Sequence, residues 1–134
     1  MNRILLKVRR VGGMRELPVL TVAGRRSGKL RSTPLTVVTL DGIRYLLEGF
    51  PGADWVRNVR AAGGVAELRT GRGIESVRLL ELDHDAAAPV LRAWPVHAPS
   101  GAKIMMDTGV VHAITPDAFA ALAGRCAVFR VESS

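Results

Sequence analysis

From Leu17 onward the chain alternates short β-rich runs with breaks marked by glycine and proline. Leu17 to Ala23 reads as a strand ending at Gly24, and Ser32 to Leu40 as a second run of the same kind. Asp41-Gly42 is a tight hairpin signal, so Ile43 to Leu47 is expected to return antiparallel. Gly49, Pro51 and Gly52 then interrupt the sheet. Asp54 is expected to cap a helix through Ala62, with Trp55, Val59 and Ala62 on one face, and Gly63-Gly64 to end it. Two more strands follow, Val65 to Thr70 and Ile74 to Asp83, joined by Gly71-Arg72-Gly73. In the second, Val77, Leu79 and Glu81 alternate with Arg78, Leu80 and Leu82; both faces are partly apolar, which suits a closed barrel.

Asp83 or Asp85 is expected to cap a helix running to about Trp94, and Pro95 to Val111 to be irregular or weakly helical. Thr115 as cap and Pro116 at the first helical position open a last helix, closed by Gly124, before a final strand from Cys126 to Val131. Ahead of all this, residues 1–12 place Ile4, Leu5 and Val8 at helical spacing beside Arg3, Lys7, Arg9 and Arg10, predicting a basic amphipathic helix. Such a helix packs across a barrel end or rests on an anionic membrane surface. The sum is an α+β fold: a small six-stranded antiparallel β-barrel with short helices at its rim.

A length of 134 residues supports a single domain spanning 1–134. No apolar run approaches the ~20 residues of a spanning helix, and one cysteine, Cys126, leaves no internal disulfide and fits a reducing compartment. The cytoplasm is the expected location, with peripheral membrane contact through the N-terminal helix as the alternative. His84, His97 and His112 have no partner at helical ligand spacing, so no metal site is expected. The charge changes the picture more. The net charge is +7, and only three of the 19 basic residues are lysine. Part of that bias is the arginine enrichment of GC-rich genomes, so what matters is where the charges cluster. Scarce aromatics, with no stacking platform, argue against nucleic acid.

They cluster in Gly24-Arg25-Arg26-Ser27-Gly28-Lys29-Leu30-Arg31-Ser32-Thr33-Pro34-Leu35. Forked guanidinium donors, a lysine and hydroxyls on one glycine-freed loop suit a phosphorylated small molecule. The glycine spacing is not that of a Walker loop.

This segment, together with Asp41-Gly42 and Asp54-Trp55-Val56-Arg57-Asn58-Val59-Arg60-Ala61-Ala62-Gly63, resembles the deazaflavin-dependent nitroreductase and quinone reductase family over roughly Leu17 to Leu82. The resemblance implies a split β-barrel, like that of flavin-binding pyridoxamine-phosphate oxidases, and the cofactor F420, with FMN as the alternative. It implies that Arg25, Arg26, Ser27, Lys29 and Arg31 hold the cofactor's phosphate and polyglutamate tail, and that Pro34 lies beside the ribityl chain. The backbone of Leu47, Glu48 and Gly49 would follow the ring edge, with Trp55 and Asn58 near ring or phosphate. The implied reaction passes a hydride from reduced F420 to a small apolar acceptor such as a quinone or nitroaromatic; a non-catalytic cofactor- or ligand-binding module is the other reading. The oligomeric state is left open between monomer and homodimer.

Two departures stand out. The lysine that well-studied members carry between strand and helix is missing from Gly49-Phe50-Pro51-Gly52-Ala53, and their C-terminal tyrosine has no counterpart, since the only tyrosine is Tyr45. No catalytic residue is therefore assigned. Glu48 would repel an anionic cofactor, so either its side chain faces outward or the ring pocket differs. Trp94-Pro95-Val96 and Ile104-Met105-Met106 suit either a flexible apolar lid or plain core.

Overall fold

A computed structural model describes residues 17–134; the expected helix over 1–12 lies outside them. The strands are β1 (Val19–Ala23), β2 (Leu30–Pro34), β3 (Val38–Leu40), β4 (Ile43–Leu47), β5 (Val65–Thr70), β6 (Gly73–Glu81) and β7 (Val128–Ser133). The helices are α1 (Asp54–Ala61), α2 (His84–His97), α3 (Pro99–Asp107) and α4 (Pro116–Ala120). All seven strands join one sheet in the order β2-β1-β5-β6-β7-β4-β3, and every pairing is antiparallel.

Seven strands replace the expected six because the run from Ser32 to Leu40 is two strands. Pro34 has no N–H to donate and ends β2; the next residue, Leu35, donates its N–H back to the Pro18 carbonyl at 2.9 Å. The Asp41-Gly42 hairpin forms as expected: both residues have positive φ, 52° and 80°, and Leu40 pairs with Ile43.

The sheet curls into a half-barrel, consistent with a split-barrel fold. It does not close as the β6 pattern suggested. Val77 and Leu79 are buried, but Ile74 and Leu80 on the other face of β6 are 67% and 40% exposed. One face of the sheet carries Leu20, Val22, Leu46, Leu68, Val77 and Phe129 against Trp55, Val56 and Val59 of α1. On the opposite face, Leu47 and Val128 pack with Leu91 and Trp94 of α2, Met105 of α3 and Phe119 of α4. Neighbours Leu46 and Leu47, and likewise Val128 and Phe129, thus serve different cores, as the two-residue period of a strand requires.

Pro95 to Val111 is more ordered than expected. Helix α2 runs on to His97, with the Ala98 N–H donating to the Trp94 carbonyl at 2.8 Å. Pro99 then starts α3, which buries Ala102 and Met105 at helical spacing. Trp94, Pro95 and Met105 are therefore core, while Val96 and Ile104 are 73% and 62% exposed. Asp83 caps α2 through the Ala86 N–H, and Thr115 caps α4 through the Ala118 N–H.

Helix α1 reaches the sheet at two fixed ends. At its C-terminus Gly64, at φ +84°, donates to the Val59 carbonyl at 3.0 Å and accepts from the Leu79 N–H at 2.8 Å; a Cβ there would collide with the Leu79 carbonyl oxygen. Arg60 adds a forked pair to Glu81 at 2.9 and 2.7 Å. At the N-terminus the expected cap fails: Asp54 is the first helical residue, and the capping position, Ala53, has no polar side chain to contribute.

Candidate functional site

Register explains how the basic loop comes to face α1. Arg31 pairs with Val22 and Thr33 with Leu20, both of which point into the α1 core, so Arg31 and Thr33 share that face. Ser32 turns the other way, its hydroxyl 2.8 Å from that of Thr21. The loop between β1 and β2 closes on itself: the Gly28 N–H donates to the Gly24 carbonyl, the Gly24 N–H to that of Lys29, and the Lys29 N–H to Ser27 Oγ. Gly28 at φ +74° makes that turn without strain.

Between this loop and the start of α1 lies a cleft of about 530 Å³, lined by Arg25, Arg26, Ser27, Arg31, Thr33, Asp54, Trp55 and Asn58 with Gly24 and Ser32. Arg25 anchors it. Its backbone N–H and Nη1 both donate to Asn58 Oδ1, at 3.0 and 2.8 Å, and Nη2 donates to Asp54 Oδ1 at 3.2 Å. Asn58 is only 5% exposed. Since Arg25 can only donate, the amide oxygen must face it, which leaves Nδ2 as a donor without an acceptor among the described residues. A buried donor on a cleft wall is a place for a ligand oxygen. Trp55 is 9% exposed, with its ring centroid 5.6 Å from that of Phe129; it serves the core and also lines the cleft.

The expected site residues thus divide. Arg25, Arg26, Ser27, Arg31, Trp55 and Asn58 meet at the cleft, while Lys29, Pro34, Leu47, Glu48 and Gly49 do not line it. Lys29 is exposed beside it, Pro34 is exposed at the end of β2, and Leu47 is buried on the sheet's opposite face. Sequence reasoning missed Asp54 as a partner of Arg25. The signal was present, because Asp54 and Asn58 are four residues apart and so share one helix face.

Of the two alternatives for Glu48, the outward-facing one fails, because its side chain turns inward. At 4% exposure it accepts three backbone N–H groups, from Gly52 and Ala53 through Oε2 at 3.0 and 2.9 Å and from Ala127 through Oε1 at 2.8 Å. It therefore fixes the two residues that lead into α1, while the first turn of the helix has no side-chain cap. Glu48 also lines a smaller crevice, about 260 Å³, with Arg60, Glu81, His84, Arg125 and Cys126. Burial, with the Glu48 charge adding to it, pushes the Cys126 thiol up to about 11, which disfavours the thiolate at neutral pH.

The family profile described as F420H(2)-dependent quinone reductase matches residues 6–109. The chain belongs to that family. It is accordingly an F420H2-dependent reductase, and F420 is the cofactor the family names; nothing in the comparisons supports FMN. Among solved structures, one described as an F420-H2 dependent reductase (FDR-A) is 21% identical with a TM-score of 0.58, covering 86% of this chain and 92% of its own. A second, described as a domain-swapped dimer, is 22% identical with a TM-score of 0.60, covering 96% and 91%. A third, described as a FAD-binding protein from Mesorhizobium loti, is 18% identical with a TM-score of 0.55, covering 99% and 91%. At these identities the likenesses show the fold. No curated protein matches the sequence. Among the described residues no helix is long and apolar enough to cross a membrane.

Proposed function

We propose that the cleft between the Gly24–Thr33 segment and the start of α1 holds the anionic part of F420, and that the enzyme reduces a small apolar acceptor such as a quinone or nitroaromatic. The observation that carries this reading is the meeting of Arg25, Arg26 and Arg31 on one cleft with the buried Asn58, whose Nδ2 has no acceptor among the described residues. Guanidinium forks and an amide donor suit the oxygens of a phosphodiester and of glutamate carboxylates. Bound F420H2 supplies a hydride to the acceptor. The chain's part is to bind and orient. Asn58 holds Arg25 from two sides, Arg26 and Arg31 offer further forks, and the Ser27 hydroxyl keeps a proton to donate. Lys29, exposed at the cleft's edge, extends the positive charge toward a trailing tail. Trp55 supplies an apolar wall. The resemblance, rather than this cleft, supports a role for Pro34 and for the Leu47–Gly49 backbone along the ring.

A homodimer is in keeping with the related fold solved as a domain-swapped dimer, and light scattering of the purified chain tests it. The reading as a whole is tested by following F420 fluorescence on titration with the protein, with FMN in parallel. Saturable F420 binding and none of FMN is expected; FMN binding alone, or binding of neither, overturns the reading.

A further inference from the structure

We propose that Asp54 is a built-in counter-ion of the cofactor cleft, which occupies Arg25 in the ligand-free protein and lowers affinity for the anionic cofactor; this rests on the F420 reading above. Arg25 does not need Asp54 for its placement. Its backbone N–H and Nη1 are both fixed on Asn58 Oδ1, and Asn58 is buried. The Asp54 contact is of another kind: a single 3.2 Å approach to Nη2 by a side chain that is 81% exposed, set on the first residue of α1. Asp54 is also the one acidic residue among the described residues that line the cleft, a lining it shares with Arg25, Arg26 and Arg31.

An anion seated on Arg25 must share Nη2 with this carboxylate or displace it. Displacement costs little contact, because the side chain already stands in solvent, yet its charge stays tethered within a few ångströms of the ligand. The effect is a deliberately incomplete anion site. That suits a hydride carrier used as a co-substrate: the oxidised carrier has to leave after each turnover and be reduced again by a separate reaction of the deazaflavin-reducing class.

The test is F420 fluorescence titration of the wild type, Asp54→Asn and Asp54→Ser at low and high ionic strength, with melting temperatures recorded alongside. Both variants are expected to bind F420 about 3- to 10-fold more tightly at low salt, since one repelling unit charge is removed near the ligand. Their affinity should also fall more steeply with salt. In an Arg25→Ala background the gain should be smaller but should not vanish, because the competition for Nη2 is gone while the Asp54 charge still repels the ligand. Equal or weaker binding by folded Asp54→Asn and Asp54→Ser overturns the counter-ion role alone. A wild-type chain that binds no F420 overturns the cofactor reading and this inference with it.

Discussion

The carboxylate of Glu48 accepts the backbone N–H of Ala127, 79 residues further along the chain, at 2.8 Å. The same side chain holds the Gly52 and Ala53 N–H groups, so one carboxylate joins the end of β4, the start of α1 and the approach to β7. Glu48→Ala leaves these donors without an acceptor, two of them buried, and should cost about 3 to 5 kcal/mol in chemical denaturation. Glu48→Gln keeps one oxygen but turns an amide NH2 toward an N–H, and should cost about 1 to 3 kcal/mol. A loss below ~0.5 kcal/mol in Glu48→Ala would show that water replaces the carboxylate.

Arg31 and Lys29 separate the cleft wall from its edge. Arg31 shares the inward face of β2 and lines the cleft, whereas Lys29 is exposed outside it. Arg31→Ala should weaken F420 binding by about 1 to 3 kcal/mol, the worth of a charged hydrogen bond. Lys29→Ala should cost under ~1 kcal/mol and lose that effect at high salt. Titration of both variants checks the order; an equal or larger loss at Lys29 would move the anion site out of the cleft.

Arg44 grips Glu75 with two nitrogens, at 2.9 and 2.8 Å, bridging β4 to β6 across β7. Hydrogen bonding by Arg44, aided by its charge and the Ser133 hydroxyl, outweighs the opposing effect of burial and holds the Glu75 carboxyl below its usual 4.5. A folded pKa below the unfolded one means the pair's contribution is present above about pH 4.5 and is lost as pH falls through the folded value. Both side chains are partly solvated, so the contribution is on the surface-pair scale. Glu75→Gln should lose about 0.5 to 1 kcal/mol near neutral pH and converge with the wild type well below pH 4.5. Parallel stability curves at every pH would contradict the pairing.

Cys126 is 3% exposed and its thiol is pushed up to about 11. At mildly alkaline pH almost none of it is thiolate. The folded protein should resist a maleimide for hours and react within minutes once unfolded, as mass spectrometry would show. Fast labelling of the folded chain would mean that the crevice beside Glu48 opens.

Much of the fold was legible because its signals are local. Asp41-Gly42 and Thr115 each specify a turn or a cap by their own chemistry and form as expected, and of the two aspartates offered as cap of α2 it is Asp83 that serves. The errors fall where a distant partner decides. Nothing near Pro34 says that Leu35 will bond Pro18 and split one strand in two. Pro95 and Pro99 read as breakers, yet the burial of Trp94, Ala102 and Met105 against the sheet carries helix on either side of Ala98. At the site, the loop's cations were readable from their density alone. That Asp54 faces Arg25 and Glu48 reaches Ala127 depends on chain brought in from 29 and 79 residues away.

Helix α1 is held like a beam at two supports, Glu48 gripping the residues before its first turn and Gly64 locked against Leu79 after its last. Trp55 and Asn58 ride between those supports. The width of the cleft is therefore a dimension of the folded chain, set before any ligand arrives, and little of the binding free energy goes into assembling the wall that Asn58 and Trp55 provide. Selectivity on that side works as a gauge does, admitting what already fits the gap.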